Sequence, residues 1–123
     1  MPITVVLADD NPDHRLAVRF ILELAAEVVS IVGEAADGHE ALDLVRRQHP
    51  DLVIADVVMP NLDGLELTAL LKREQPKTKV IIITAYGGYD SVAARSGADA
   101  YVSKHEISSG LVPAIREVVN RGS

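Results

Sequence analysis

Asp51-Leu52-Val53-Ile54-Ala55-Asp56-Val57-Val58-Met59-Pro60 is the stretch whose reading decides the fold. Leu52 to Ala55 is an apolar run of the length of a buried strand, and it delivers one carboxylate, Asp56, at its C-terminal end. An isolated carboxylate beside a core is expensive, so an acid in that place caps a turn, pairs with a cation, or belongs to a site. The flanking sequence decides which.

Upstream, Ile3 to Ala8 is a second apolar, β-branched run, which predicts a central strand covered on both faces; it ends in Asp9-Asp10-Asn11-Pro12. Asn11 can cap a helix whose first residue is Pro12, and Leu16, Phe20 and Leu24, with Ala17 and Ile21, fall on one face, the expected core face. Val28 to Gly33 predicts another strand. Asp37 can cap the helix after it, which buries Ala41, Leu42 and Val45 and stops near His49, because Pro50 disfavours helical geometry in the residue before it.

Downstream, Met59 to Gly64 is rich in turn formers and reads as a loop. Asp63 and Glu66 can cap a helix with Leu67, Leu70 and Leu71 at helical spacing, which Pro76 ends. Val80 to Thr84 is a strand that finishes on a hydroxyl, and Ala85 to Gly88 a loop. Tyr89 to Ser96 has room for only about two turns of helix and is the weakest element expected. Ala100 to Ser103 is a short strand ending on Lys104. Leu111, Ile115, Val118 and Val119 mark one face of a last helix, and because proline is harmless only in the first turn, Pro113 predicts a start near Gly110 or an irregular entry.

Strand-like and helical runs therefore alternate along the whole chain, which predicts a single α/β domain over residues 1–123, a parallel sheet with helices on both faces. With no cysteine, disulfides and thiolate metal sites are excluded. The net charge of −6 and the lack of a basic block argue against direct nucleic-acid contact by this segment. No apolar run approaches the roughly 18 residues of a membrane span, so a cytoplasmic protein without membrane contact is expected.

In such sheets ligands bind beyond the carboxyl ends of the strands. That edge would collect Asp9 and Asp10, Asp56, Thr84 and Lys104. Clustered carboxylates resist joint ionisation unless a cation sits among them, and hard oxygen ligands suit Mg²⁺, which could in turn hold phosphate oxygens beside Lys104. Asp56 would then be the nucleophile. Taken singly, the same residues have plainer readings: helix caps for Asp9 to Asn11, a solvated strand end for Lys104, a β-former for Thr84 and a half-buried aromatic for Tyr101. The histidines, His14, His39, His49 and His105, have no metal-ligand spacing and read as surface positions, although His14 lies close to the acidic turn and could tune its electrostatics.

Together, Asp9-Asp10, Asp56, the Met59-Pro60 to Gly64 loop, Thr84-Ala85, Gly97-Ala98-Asp99, Tyr101 and Lys104 resemble a receiver domain of two-component response regulators over essentially the whole chain. Gly33 to Gly38 and Leu111 to Val119 look most like the NarL/FixJ branch. The resemblance implies a flavodoxin-like (βα)5 doubly wound sheet of order 2-1-3-4-5. It also implies Asp56 as phosphoacceptor, and Mg²⁺ on Asp10, Asp56 and the Val58 backbone carbonyl with Asp9 behind water. Lys104 and Thr84 would contact the phosphoryl group, and Tyr101 would turn inward behind Thr84. It implies a histidine kinase or phosphotransfer protein as donor, self-catalysed transfer rather than the work of an enzyme, and an option of homodimerisation on phosphorylation.

Against that pattern, His105 stands where many receivers have proline, and the Thr84 to Gly97 interval is about two residues short, which predicts a shortened fourth helix. Val58 and Tyr86, two past Asp56 and Thr84, offer no base to an attacking water, so slow loss of the phosphate is expected. The branch it resembles carries a DNA-binding domain, and this chain reads as either a stand-alone regulator or a receiver apart from its output domain. A phosphate-independent binding module and a small flavin carrier of the same sheet order are the alternatives.

Overall fold

The structure, a computed structural model, describes residues 2–85 and 96–121. Tyr86, Gly87-Gly88 and the expected fourth helix, Ser96 excepted, lie outside those residues. The described elements are β1 (Ile3–Ala8), α1 (Pro12–Leu24), β2 (Val29–Ala35), α2 (Gly38–Gln48), β3 (Leu52–Asp56), α3 (Gly64–Glu74), β4 (Lys79–Thr84), β5 (Ala100–Ser103), a 3₁₀ turn (Lys104–Glu106) and α4 (Ile107–Arg121). All strand pairs are parallel, in the order β2-β1-β3-β4-β5.

Alternation along the central strands explains their all-apolar sequences, since a strand buried on both faces has no position for a polar residue. Val6 and Ala8, Val53 and Ala55, Val80 and Ile82 face a core completed by Ala41, Leu42 and Val45 of α2 and Leu67 and Leu71 of α3. Val5 and Leu7, Leu52 and Ile54, Ile81 and Ile83 face the other core, closed by Val18 and Leu22 of α1 and Leu111, Ile115 and Val118 of α4. Fully burying side chains of this size contributes about 1.5–3 kcal/mol each, so the central strands are the most stable part of the molecule.

The expected caps are present. Asn11 Oδ1 accepts from the backbone N–H groups of Asp13 and His14, Asp37 from Glu40, and Asp63 and Glu66 form a reciprocal capping box. His49 closes α2 in the left-handed conformation at φ 46°, an exit compatible with Pro50.

Three expectations are corrected. Leu16, Phe20 and Leu24 do not face the core: they are 53%, 60% and 75% exposed, while Val18 and Leu22 are buried. This helix carries apolar residues on both sides, and its short connection to β1 lays the Val18 side over Val5 and Leu7. The second strand runs to Ala35 rather than Gly33, with a register shift against β1 between Val5 and Val6 that absorbs an extra residue. The last helix begins at Ile107, so Pro113 lies beyond its first turn. The donor missing at Pro113 would have served the Ser109 carbonyl; both residues are exposed, so that carbonyl faces solvent rather than the core.

Candidate functional site

The turn after β1, the end of β3 and the residue after β5 meet at the carboxyl edge of the sheet. Asp9 and Asp56 are buried there, at 3% and 7% exposure. The Lys104 ammonium donates to Asp56 Oδ2 at 2.9 Å and stands 3.6 Å from Asp9 Oδ2. Asp9 Oδ1 accepts the Asn11 N–H at 2.9 Å, and the Asp9 carbonyl accepts from Arg15 Nη1 at 2.7 Å. Arg15 is itself paired with Glu34 at 3.3 Å, so the acidic turn is tied to α1 and to the end of β2.

Loss of hydration pushes the Asp9 carboxyl above its ordinary range; the Asn11 N–H and Lys104 oppose this, and the neighbouring Asp56 charge adds to it. Two buried carboxylates thus share one ammonium. A hard, oxygen-rich set short of positive charge fits a divalent cation such as Mg²⁺.

The loop after β3 is seated by backbone against backbone. A Cβ on Gly64 would stand 2.1 Å from the Asp56 carbonyl oxygen, and one on Gly38 would stand 2.0 Å from that of Leu62. Only glycine permits either approach. The Gly64 N–H donates to the Val57 carbonyl at 2.9 Å, and Asn61 Nδ2 to Asp37 Oδ2 at 3.3 Å. The chain from Asp56 to Asp63 is therefore held against the N-termini of both α2 and α3.

Of the residues singled out from sequence, Asp9, Asp56 and Lys104 come together. Asp10 is exposed and stands outside the close group, whose third member is His14: ligand atoms of Asp9, His14 and Asp56 lie within 4.8 Å of one another. Val58 is 48% exposed beside the site. Thr84 is fully buried at the end of β4, and Tyr101, paired with Ile82, is half-buried against the core under α2 and α3. Paired residues of parallel strands point to the same side and the side repeats every second residue, so Thr84 and Tyr101 share a face. Asp99 lies at the opposite edge of the sheet, accepting from the Val80 N–H at 2.8 Å and from Lys72 Nζ at 2.6 Å.

His14, expected from sequence only as a surface residue near the acidic turn, is a direct member of the close group. Its Nδ1 is 2.6 Å from Lys104 Nζ. The signal was its place in the first turn of a helix capped by Asn11, four residues after Asp10, which returns the side chain over the acidic turn.

Comparison with known proteins adds identity to this geometry. The family model of the response regulator receiver domain matches residues 5–116. A Pseudomonas aeruginosa protein provisionally named a transcriptional regulator is 40% identical over 117 residues, covering 94% of this chain and 56% of its own length. The response regulator protein VraR of Staphylococcus saprophyticus is 33% identical, covering 100% of this chain and 59% of its own. Among solved structures, a two-component response regulator of the LuxR family from Aurantimonas superposes with a TM-score of 0.90 at 30% identity, over 98% of this chain and 87% of that one. The chain thus spans little more than half the length of these curated relatives.

Proposed function

The chain belongs to the response regulator receiver family, and on that premise we propose that it is a phosphorylation switch whose acceptor is Asp56. The observation that carries this reading is the pairing of a buried strand-end carboxylate with one ammonium: Asp56 Oδ2 to Lys104 Nζ, 2.9 Å, with Asp9 alongside. An Asp56 oxygen attacks the phosphorus of a phosphohistidine; the new O–P bond forms as the N–P bond breaks, and the imidazole leaves with the electron pair. Lys104, already at the acceptor, offsets charge on the phosphoryl oxygens. Asp10 and Asp56, with the Val58 carbonyl and with Asp9 through water, would hold Mg²⁺, which when bound supplies positive charge to those oxygens.

The buried Thr84 hydroxyl, at the next strand end, then turns toward the new group, and Tyr101 on the same face follows into the space it leaves. The donor, a histidine kinase or phosphotransfer protein, meets the site beside α1, where Leu16 and Phe20 present an apolar surface that a transient partner can cover. No helix among the described residues is long and apolar enough to cross a membrane. The lengths of the relatives, and the transcriptional role in the name of one, support an output through a DNA-binding segment outside this chain. The transfer runs once per activation with the protein as its own substrate, so the domain signals rather than turns over.

Incubation with acetyl phosphate and Mg²⁺, read by intact mass, tests the reading. One phosphoryl group should be gained by the wild type and none by Asp56→Asn. Equal uptake by the variant, or none by either, would leave only a binding module that uses the same surface.

A further inference from the structure

We propose that His14 gives this site a second, nitrogen-containing ligand set, Asp9–His14–Asp56, which takes a borderline divalent transition ion such as Co²⁺ or Ni²⁺. The proposal rests on the receiver reading only in placing a cation at this edge of the sheet.

The three ligand atoms lie within 4.8 Å of one another, close enough to meet on one ion. A cationic group already stands among them: the Lys104 ammonium is 2.9 Å from Asp56, 3.6 Å from Asp9 and 2.6 Å from His14 Nδ1. An ammonium can only donate, so Nδ1 accepts and carries a lone pair aimed into the cluster, with the ring hydrogen on Nε2. A lone pair so placed is what a metal requires of imidazole.

The set differs from an all-oxygen one in chemistry. Carboxylates, carbonyls and water suit Mg²⁺, whereas imidazole suits Co²⁺, Ni²⁺, Cu²⁺ and Zn²⁺. Asp10 is exposed and outside the group, so the oxygen set that would hold Mg²⁺ and the nitrogen set overlap chiefly at Asp56. For a metal to enter the nitrogen set, Lys104 must release Nδ1. Nδ1 therefore serves either the ammonium or a metal ion, never both, and a transition ion held there pulls Lys104 away from its partner.

Any such site binds Co²⁺ more tightly than Mg²⁺, so the raw preference decides nothing; the part that depends on His14 does. Calorimetric titration of the metal-free chain with CoCl₂ and with MgCl₂, alongside the visible absorption of bound Co²⁺, separates them. His14→Ala should weaken Co²⁺ by about tenfold or more, the scale seen when even indirect support of a ligand is lost, change the Co²⁺ spectrum, and leave Mg²⁺ binding within about twofold. His105→Ala, a control for adventitious imidazole, should change neither. Co²⁺ affinity and spectrum unaltered in His14→Ala, or altered equally in His105→Ala, would overturn the proposal. Phosphoryl uptake is scored separately by mass: its absence alongside His14-dependent Co²⁺ binding would remove the acceptor reading and leave the metal site standing.

Discussion

The two edges of the sheet use the same residue types to opposite ends. At the amino edge, polar groups form closed exchanges. Thr4 N–H and Oγ1 donate to Asp51 Oδ2 while the Asp51 N–H returns a bond to Thr4 Oγ1. Lys72 bonds both Asp99 and the Thr78 carbonyl, and Asp99 also takes the Val80 N–H. At the carboxyl edge, Asp9 and Asp56 crowd one ammonium and the Asp9 carboxyl is disfavoured as a charge. One edge satisfies its charges within the fold; the other leaves a deficit that a ligand can meet.

The largest effect expected comes from the clearance under Asp56. Gly64→Ala drives a methyl to 2.1 Å from the Asp56 carbonyl and should cost about 3 kcal/mol or more, read by denaturant unfolding, with phosphoryl uptake impaired as well. Asp99→Ala at the amino edge should cost about 2 kcal/mol by removing the acceptor of the Val80 N–H and the counter-charge of Lys72, yet leave phosphoryl uptake at the wild-type rate. A loss of uptake there would erase the division of labour between the edges.

The third prediction has the opposite sign. Asp9→Asn should stabilise the metal-free protein near neutral pH. Because the folded-state pKa of Asp9 lies above its ordinary value of 3.8, ionising this group disfavours folding. That cost is absent below the ordinary value, grows as pH rises through the raised pKa, and is complete above it. The gain from Asp9→Asn should therefore shrink toward zero when thermal unfolding is repeated at about pH 3. A gain independent of pH would assign the effect to packing instead. Smallest in energy, Val58→Asn should leave stability within about 0.5 kcal/mol, as surface changes do, while hastening loss of the phosphoryl group several-fold by offering water a polar guide; an unchanged decay would remove the shielding role.

Legibility divides along similar lines. The central strands were plain in the sequence because burial on both faces leaves an unbroken apolar run, and the caps were plain because Asn11, Asp37 and Asp63 act within three residues of themselves. What failed was choice between equivalents. Leu16, Phe20 and Leu24 recur as regularly as Val18 and Leu22, and only the sheet beneath decides which stripe is covered. Pro113 misled because a missing bond is expensive only where water cannot replace it. At the site, Asp9, Asp56 and Lys104 could be brought together by topology alone, since Asp56 ends a strand and the other two each follow one. His14 sits on a helix and its aim depends on a rotamer, and the exposed position of Asp10 is set by turn geometry that the Asp9-Asp10 pair does not encode.

The two glycine contacts bear on mechanics. With no side-chain atom between the Asp56 carbonyl and the first turn of α3, nor between Leu62 and the first turn of α2, the intervening loop has no slack. A displacement of the strand end is therefore expected to reach both helices rather than be absorbed as local bending. Lengthening that loop by a residue, or padding either joint with a methyl, should uncouple the helices from the carboxylate even where the fold survives.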